Sequence, residues 1–516
     1  MNYPAKLFAL LCGLCVFALS SLAAPKPNVL LICVDDLKPI LGCYGDKLVK
    51  SPNIDRLAAR SVQFDRAFCN QAVCSPSRNS LLTGLRPQTL GIYDLGTNFR
   101  RARPDAVTLP QLFKQHGWRT EGMGKIFHVG HGNTNDPASW STPYWTANVV
   151  AYALPASKAK SGLTREEALF SNKSAKDLPR GAAYESADVP DNTYPDGALA
   201  DHAIERLRAA KEKPAEPFFL AVGFVKPHLP FVAPKKYWDL YDRASFKLAE
   251  VRAAPEGAPS YAPQSGGELR QYSGIPESGP IPDDLQRTLL HGYHAAVSYM
   301  DAQLGRVLAE LDKLGLAQNT IVVLWGDHGY SLGEGDHWCK ATNFERDTRV
   351  PLVIRVPGMA HPGTPTSALV ELVDLYPTLA DLAGVAAPAD LAGRSLVPQL
   401  ADPLAPGRDV ALSQFARPFR NADPEAMGYS LRSPTHRYTR WVEWPSRQTI
   451  TEELYAYPAP PQAGPTLVEE RNLIDDAAAA PVRDRLRATL DTMLVERVGP
   501  PPAPRPRASG TAGDGD

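Results

Sequence analysis

Three stretches of this chain are apolar at consecutive positions rather than at alternate ones: P-F-F-L-A-V-G-F at 217–224, N-V-L-L-I-C-V at 28–34 and T-I-V-V-L-W at 320–325. Each has the length of a strand, and a strand with no polar side must be covered on both faces. Sheets of that kind are mostly parallel and lie between helices. The sequence between the runs supplies the helices. Residues 197–212 carry a helical pattern. From Pro282 onward, Leu285, Leu289, Tyr293, Val297, Leu304, Leu308 and Leu311 mark one apolar face that Gly315 closes. Shorter helices are predicted over 52–60, 107–116 and 370–383, and one more strand over 351–356. The expected fold class is α/β.

Open α/β sheets bind ligands beyond the carboxyl ends of their strands, and each apolar run ends in reactive side chains. Asp35 and Asp36 follow the first, Lys226-Pro227-His228 the second, and Gly326-Asp327-His328-Gly329 the third. Paired aspartates at such a point suit a metal ion, although aspartates also cap turns and helices. A proline turn accounts for the Lys226–Pro230 segment as readily as a ligand contact does. Gly122-Met123-Gly124-Lys125-Ile126-Phe127-His128 brings another cation and imidazole between glycines, where a lone histidine is more often structural. Lys340 closes G-D-H-W-C-K. Cys339 near His337 suggests zinc, but no second spaced pair supports it. His291 and His294, on the long helix, read as packing or surface residues.

Residues 74–84 read C-S-P-S-R-N-S-L-L-T-G, a short helix beginning near Cys74 and ending at Gly84. A helix start offers free N–H groups and the positive end of a dipole, so Cys74 faces a site suited to an anion. Arg78, one turn on, adds a permanent planar charge to the same face.

The net charge of −1 with 22% charged residues gives no sign of a nucleic-acid partner. Lys6 and the apolar run after it, ending in S-S-L-A-A-P, have the form of a signal peptide cleaved after Ala23, and the run is short for a membrane anchor. The mature chain is therefore expected to be exported, periplasmic or extracellular, without a membrane anchor. Its cysteines are then Cys33, Cys43, Cys69, Cys74 and Cys339, an odd number, so in an oxidising compartment at least one stays unpaired or is modified. Residues 130–195 and 251–282 read as long loops and candidate substrate-recognition regions. After about 405 the pattern becomes a hairpin through 427–431 and 436–441, an edge strand near 453–455 and a helix over 480–497. The expected organisation is a signal peptide (1–23), a catalytic domain (24–405), an α+β subdomain (406–498) and a disordered tail (499–516).

The string C-x-P-S-R-x-x-L-L-T-G resembles, without a gap, the signature of the type I sulfatases. The segments V-D-D-L, G-K-I-F-H, F-F-L-A-V-G-F-V-K-P-H, D-H-G-Y-S-L-G-E and M-G-Y-S-L-R are similar to the iduronate-2-sulfatase branch. The resemblance implies an alkaline-phosphatase-like fold whose mixed, mostly parallel sheet is sandwiched by helices, with a smaller antiparallel subdomain. It implies that Cys74 is oxidised to formylglycine by a formylglycine-generating or equivalent enzyme. It also implies that one Ca²⁺ is held by Asp35, Asp36, Asp327, His328 and residue 74. Many members carry Asn where His328 stands, and a hard cation does not favour imidazole, so His328 either contacts the ion weakly or serves the sulfate. Arg78 would orient the nucleophile. Lys125, His228 and Lys340 would bind sulfate, with His228 protonating the leaving alcohol, and His128 would take a proton from the formylglycine hydrate. The implied substrate is a sulfated carbohydrate, a 2-O-sulfated uronic acid being one candidate. Arg100, Arg101 and Arg103 read equally as carboxylate contacts or as a solvated basic loop. The rival activities are a phosphatase or phosphonate monoester hydrolase on the same framework, a non-catalytic glycan-binding protein, and a plain thiol hydrolase.

Overall fold

The computed structural model describes residues 26–149, 151–158, 162–264, 267–419, 424–458 and 467–501. The expected leader, and most of the expected tail, lie outside the described residues. Seven strands form the central sheet: β1 Asn28–Val34, β2 Val62–Phe68, β3 Arg119–Gly124, β4 Phe218–Phe224, β5 Thr320–Gly326, β6 Arg349–Arg355 and β7 Pro365–Glu371. Their order is β7-β2-β6-β5-β1-β4-β3. β1 runs parallel to β4 and β5, β3 to β4, and β7 to β2, whereas β6 is antiparallel to both its neighbours. The sheet is mixed and mostly parallel.

The three apolar runs occupy the middle of this order, where both faces are covered. Along β1, Leu30, Ile32 and Val34 enter one core while Val29, Leu31 and Cys33 enter the other. Three principal helices flank the sheet: α1 Cys74–Thr83, α2 Pro195–Lys211 and α3 Asp283–Lys313. Leu199, Ala203 and Leu207 of α2 join Leu289, Tyr293, Val297 and Leu304 of α3 on the first face. Leu81 and Leu82 of α1 lie in the second core. Each fully buried aliphatic side chain contributes about 1.5–3 kcal/mol, so double coverage, rather than strand propensity, fixes the central strands.

β2, β3 and β7 have no counterpart in the sequence reading. β3 is R-T-E-G-M-G, polar and glycine-rich, and as an edge strand it needs only one neighbour. Gly124 has φ +71°, and a Cβ there would collide with the Gly223 carbonyl, so glycine is required where β3 and β4 meet. β7 opens on Pro365 at the opposite edge, where a missing N–H costs least.

A second, antiparallel sheet follows: β8 Ala411–Arg417, β9 Ala426–Arg432, β10 His436–Glu443 and β11 Thr449–Ala456. The hairpin and edge strand are those expected, and β8 is additional. Helix α4, Ala480–Met493, covers this sheet with Leu486, Leu490 and Met493 against Tyr429, Leu431 and Leu454, then passes into a π-helical turn at Leu494–Val498. Buried ion pairs tie this sheet to the main one. Glu345, just before β6, accepts from Arg432 Nε (2.7 Å) and Arg437 Nη2 (2.7 Å). Burial raises its carboxyl, but the two arginines outweigh burial and bring it down to about 2.

Removing one member of a buried ion pair leaves an uncompensated charge, so Glu345→Gln should destabilise by roughly 3–5 kcal/mol in urea unfolding near neutral pH. A depressed carboxyl contributes stability that is present above the unfolded-state value and is lost as pH falls towards about 2. The gap between parent and variant should therefore narrow across that acid range. A constant gap would mean that Glu345 acts by packing alone.

Candidate active site

Helix α1 starts from an extended Val73 and ends at Gly84 with φ 68°, as the sequence predicts. All its residues are buried, which holds the N-terminal turn against the carboxyl ends of β1 and β5. Cys74 Sγ lies 3.4 Å from Asp35 Oδ1, 3.4 Å from His328 Nε2 and 3.8 Å from Lys125 Nζ.

Arg78 locks this arrangement. Its Nη2 donates to Asp35 Oδ1 (2.9 Å), its Nε to Asp327 Oδ2 (2.8 Å) and its Nη1 to the carbonyls of Lys125 and Ile126. Asp327 Oδ1 in turn accepts the backbone N–H groups of Asp36 (3.1 Å) and His328 (3.0 Å). Lys125 pairs with Asp35, and Lys340 Nζ pairs with both oxygens of Asp36 at 2.8 and 2.9 Å. His328 turns Nδ1 to its neighbour's carbonyl at Gly329, so Nε2 faces Asp36 Oδ1 (3.4 Å) and Asp327 Oδ2 (3.5 Å). His228 is held the same way through Leu229 O, with Nε2 4.0 Å from Asp36 Oδ2. His128 stands farther out, with Nε2 3.2 Å from His131 Nδ1 and Cys74 acting on its ring.

All the predicted site residues thus gather at one end of the sheet. Lys226 does not face the site. Its ammonium donates to the carbonyls of His228 and Pro230, both at 2.7 Å, and so fixes the loop that carries His228. Arg100 is engaged by both oxygens of Asp136, and Arg103 pairs with Asp390, so neither presents a free guanidinium to a substrate. His337 serves Asp347 (3.1 Å) rather than Cys339.

The charges follow from this geometry. Burial and Asp35 both raise the Cys74 thiol, yet Lys125, Lys340 and His328 hold it well below the usual range. Burial is the largest influence on His228 and lowers it, but Asp36 and Glu268 together outweigh it and bring the ring to about 9. Burial also lowers His328, and Asp327, Cys74 and Asp36 together raise it to about 10. Burial keeps His128 below the ordinary imidazole range, which suits a proton acceptor. Burial pushes Asp327 up to about 7 despite Arg78, with Asp35 adding to the rise. Burial raises both Asp36 and Asp327, and Asp35 adds to each rise, a penalty that a divalent cation would relieve. Asp35, Asp36, Cys74 and His328 each offer a ligand atom, all within 4.8 Å of one another. With Asp327 beside them, the oxygen-rich donor set fits a hard cation.

Three nearby residues were not singled out from the sequence. Glu268 pairs with His228 and Lys340. Phe170 lies beside Lys125 (5.3 Å) and His228 (5.7 Å). His131 stacks on His128. Glu268 and Phe170 sit in the long loop regions without a motif, whereas the second histidine of H-V-G-H was a signal that could have been read.

A mostly parallel sheet that gathers a cysteine, buried carboxylates and fixed cations at its carboxyl edge defines a hydrolase of anionic esters. The sulfatase family profile matches residues 27–385, and the profile for the C-terminal part of N-sulphoglucosamine sulphohydrolase matches residues 333–495. The chain is 39% identical over 478 residues to the iduronate 2-sulfatase of Homo sapiens, covering 80% of this chain and 85% of that protein. In fold it resembles the phosphonate monoester hydrolase from Silicibacter pomeroyi, with a TM-score of 0.69, 22% identity and coverage of 92% of this chain and 96% of that one. It also resembles a structure in complex with its substrate D-glucosamine-2-N,6-O-disulfate, with a TM-score of 0.70, 21% identity and coverage of 92% and 99%. The chain belongs to the sulfatase family and is a sulfuric ester hydrolase with an alkaline-phosphatase-like fold.

Arg78 neutralises two buried aspartates at once, so Arg78→Ala should lower unfolding stability by about 3–5 kcal/mol. Arg78→Lys should recover only part of it, because an ammonium cannot reproduce the forked contacts. Full recovery by lysine would show that charge alone matters.

Proposed function

We propose that this sulfatase removes O-sulfate from a sulfated sugar, with residue 74 converted from cysteine to formylglycine and one Ca²⁺ held by Asp35, Asp36, Asp327, His328 and residue 74. The observation that carries the reading is the position of Cys74 at a buried helix start, 3.4 Å from both Asp35 and His328. The formylglycine hydrate supplies an oxygen nucleophile and the cation offsets charge on the sulfuryl oxygens. Arg78 orients residue 74 through its bonds to Asp35 and Asp327. Lys125, Lys340 and His228 bind the sulfuryl group. His228, charged at neutral pH, donates a proton to the leaving alcohol oxygen, and His128, neutral there, accepts one at residue 74. The likeness to iduronate 2-sulfatase supports a 2-O-sulfated uronic acid within a polysaccharide as substrate.

The same reading has the chain exported after loss of residues 1–23 and matured by a formylglycine-generating enzyme, with catalytic (24–405) and α+β (406–498) parts. No helix among the described residues is long and apolar enough to cross a membrane.

Free sulfate should be released from sulfated uronic-acid oligosaccharides in a panel of sulfated compounds. Release only from choline sulfate or sulfated steroids would sink the sugar reading. Hydrolysis of aryl phosphate in preference to the matched aryl sulfate would favour the phosphatase reading. Ca²⁺ at about a hundredfold over its dissociation constant should stabilise the fold by about 2.7 kcal/mol, and Asp327→Asn should remove most of that gain in calorimetric binding and thermal unfolding. His128→Ala should turn over slowly and accumulate sulfated enzyme. Parental rates without trapped sulfate would contradict its assignment.

A further inference from the structure

The 251–282 stretch, a loop without a motif in sequence, brings one carboxylate into the site. Glu268 Oε1 lies 3.0 Å from His228 Nε2 and Oε2 lies 2.8 Å from Lys340 Nζ, and the side chain is 27% exposed. Its chain neighbours anchor it. Leu269 is fully buried and Tyr272 nearly so, Ser273 N donates to Gly181 O (2.8 Å), and Arg180 Nη1 donates to Arg270 O (2.9 Å). Glu268, His228 and Asp36 also lie close enough to share an ion. However, the Lys340 ammonium already bridges Asp36 and Glu268, so a second divalent cation there would face a fixed positive charge.

The cations that Glu268 engages are those assigned above to the sulfuryl oxygens. An anion bound by Lys340 and His228 shares them with a fixed negative charge. Repulsion between that carboxylate and the anion grows in proportion to the anion's charge, and it is weakly screened in a part-buried site. A sulfate monoester carries one negative charge. A phosphate monoester carries nearly two above its second pKa of about 6.

We infer that Glu268 is a specificity-determining residue that sets the charge of the anion site, favouring a monoanionic sulfuryl ester over a dianionic phosphoryl monoester. The inference rests on the sulfatase reading above and adds a reason why this framework, also found in a phosphonate monoester hydrolase, selects sulfate here.

The test compares the parent and Glu268→Gln at about pH 8 and fixed ionic strength, where phosphate monoesters are dianions. The substrates are 4-nitrophenyl sulfate, 4-nitrophenyl phosphate and the monoanionic bis(4-nitrophenyl) phosphate. The substitution should raise kcat/KM for the phosphate monoester relative to the sulfate by about tenfold or more, while the diester-to-sulfate ratio changes by less than about threefold. An unchanged monoester ratio, or a rise shared equally by the diester, overturns the inference. The same ratios are measured as binding affinities in the Cys74→Ala background with and without Glu268→Gln. A parent that hydrolyses no sulfate ester would count against the proposed function, and those affinities would still decide the role of Glu268.

Discussion

The site depends on one buried cation. Arg78 is fully enclosed and bonded to Asp35 and Asp327, which stand at the ends of adjacent parallel strands. The same side chain reaches the carbonyls that precede His128, so helix α1, strands β1 and β5, and the loop after β3 meet at a single guanidinium. A buried ion pair is weak grounds for stability in general, but here its geometry determines where Cys74 points. Asp35, one of the two carboxylates that hold Arg78, also belongs to the group of side chains that could hold a metal ion.

Much of this was legible in the sequence, for physical reasons particular to each part. β1, β4 and β5 are apolar on both faces because they lie in the middle of the sheet, and that made them visible. Asp35, Asp36, Asp327 and His328 were visible because they directly follow those strands. The edge strands β3 and β7 were not, since an edge needs neither two apolar faces nor strong propensity. β2 escaped for another reason: Asp65 and Arg66 interrupt its apolar run. Glu268 was invisible because nothing local marks it. It reaches His228 and Lys340 only through the course of a long loop, and a lone glutamate among prolines and glycines carries no spacing signal. The basic triplet at 100–103 had two readings, and pairing of Arg100 with Asp136 and of Arg103 with Asp390 gives those two structural roles, while Arg101 is exposed.

The charges around Cys74 form a layered set. Arg78 and Lys125 answer Asp35, Lys340 answers Asp36 and Glu268, and His328 lies between Asp36 and Asp327. In the proposed reading this ring of charges, together with the cation, meets the sulfuryl group. In that reading the sugar lies beyond the ring of charges, on the side where Phe170 and His131 pack against His128 and His228.

The central claim is that Cys74 is the precursor of the nucleophile and not itself the nucleophile. Mass spectrometry of the peptide carrying residue 74, taken from a preparation with measured sulfatase activity, tests it most directly. The account predicts an aldehyde in place of the thiol, in a fraction that rises and falls with activity. A fully active preparation whose residue 74 is entirely unmodified cysteine would contradict it.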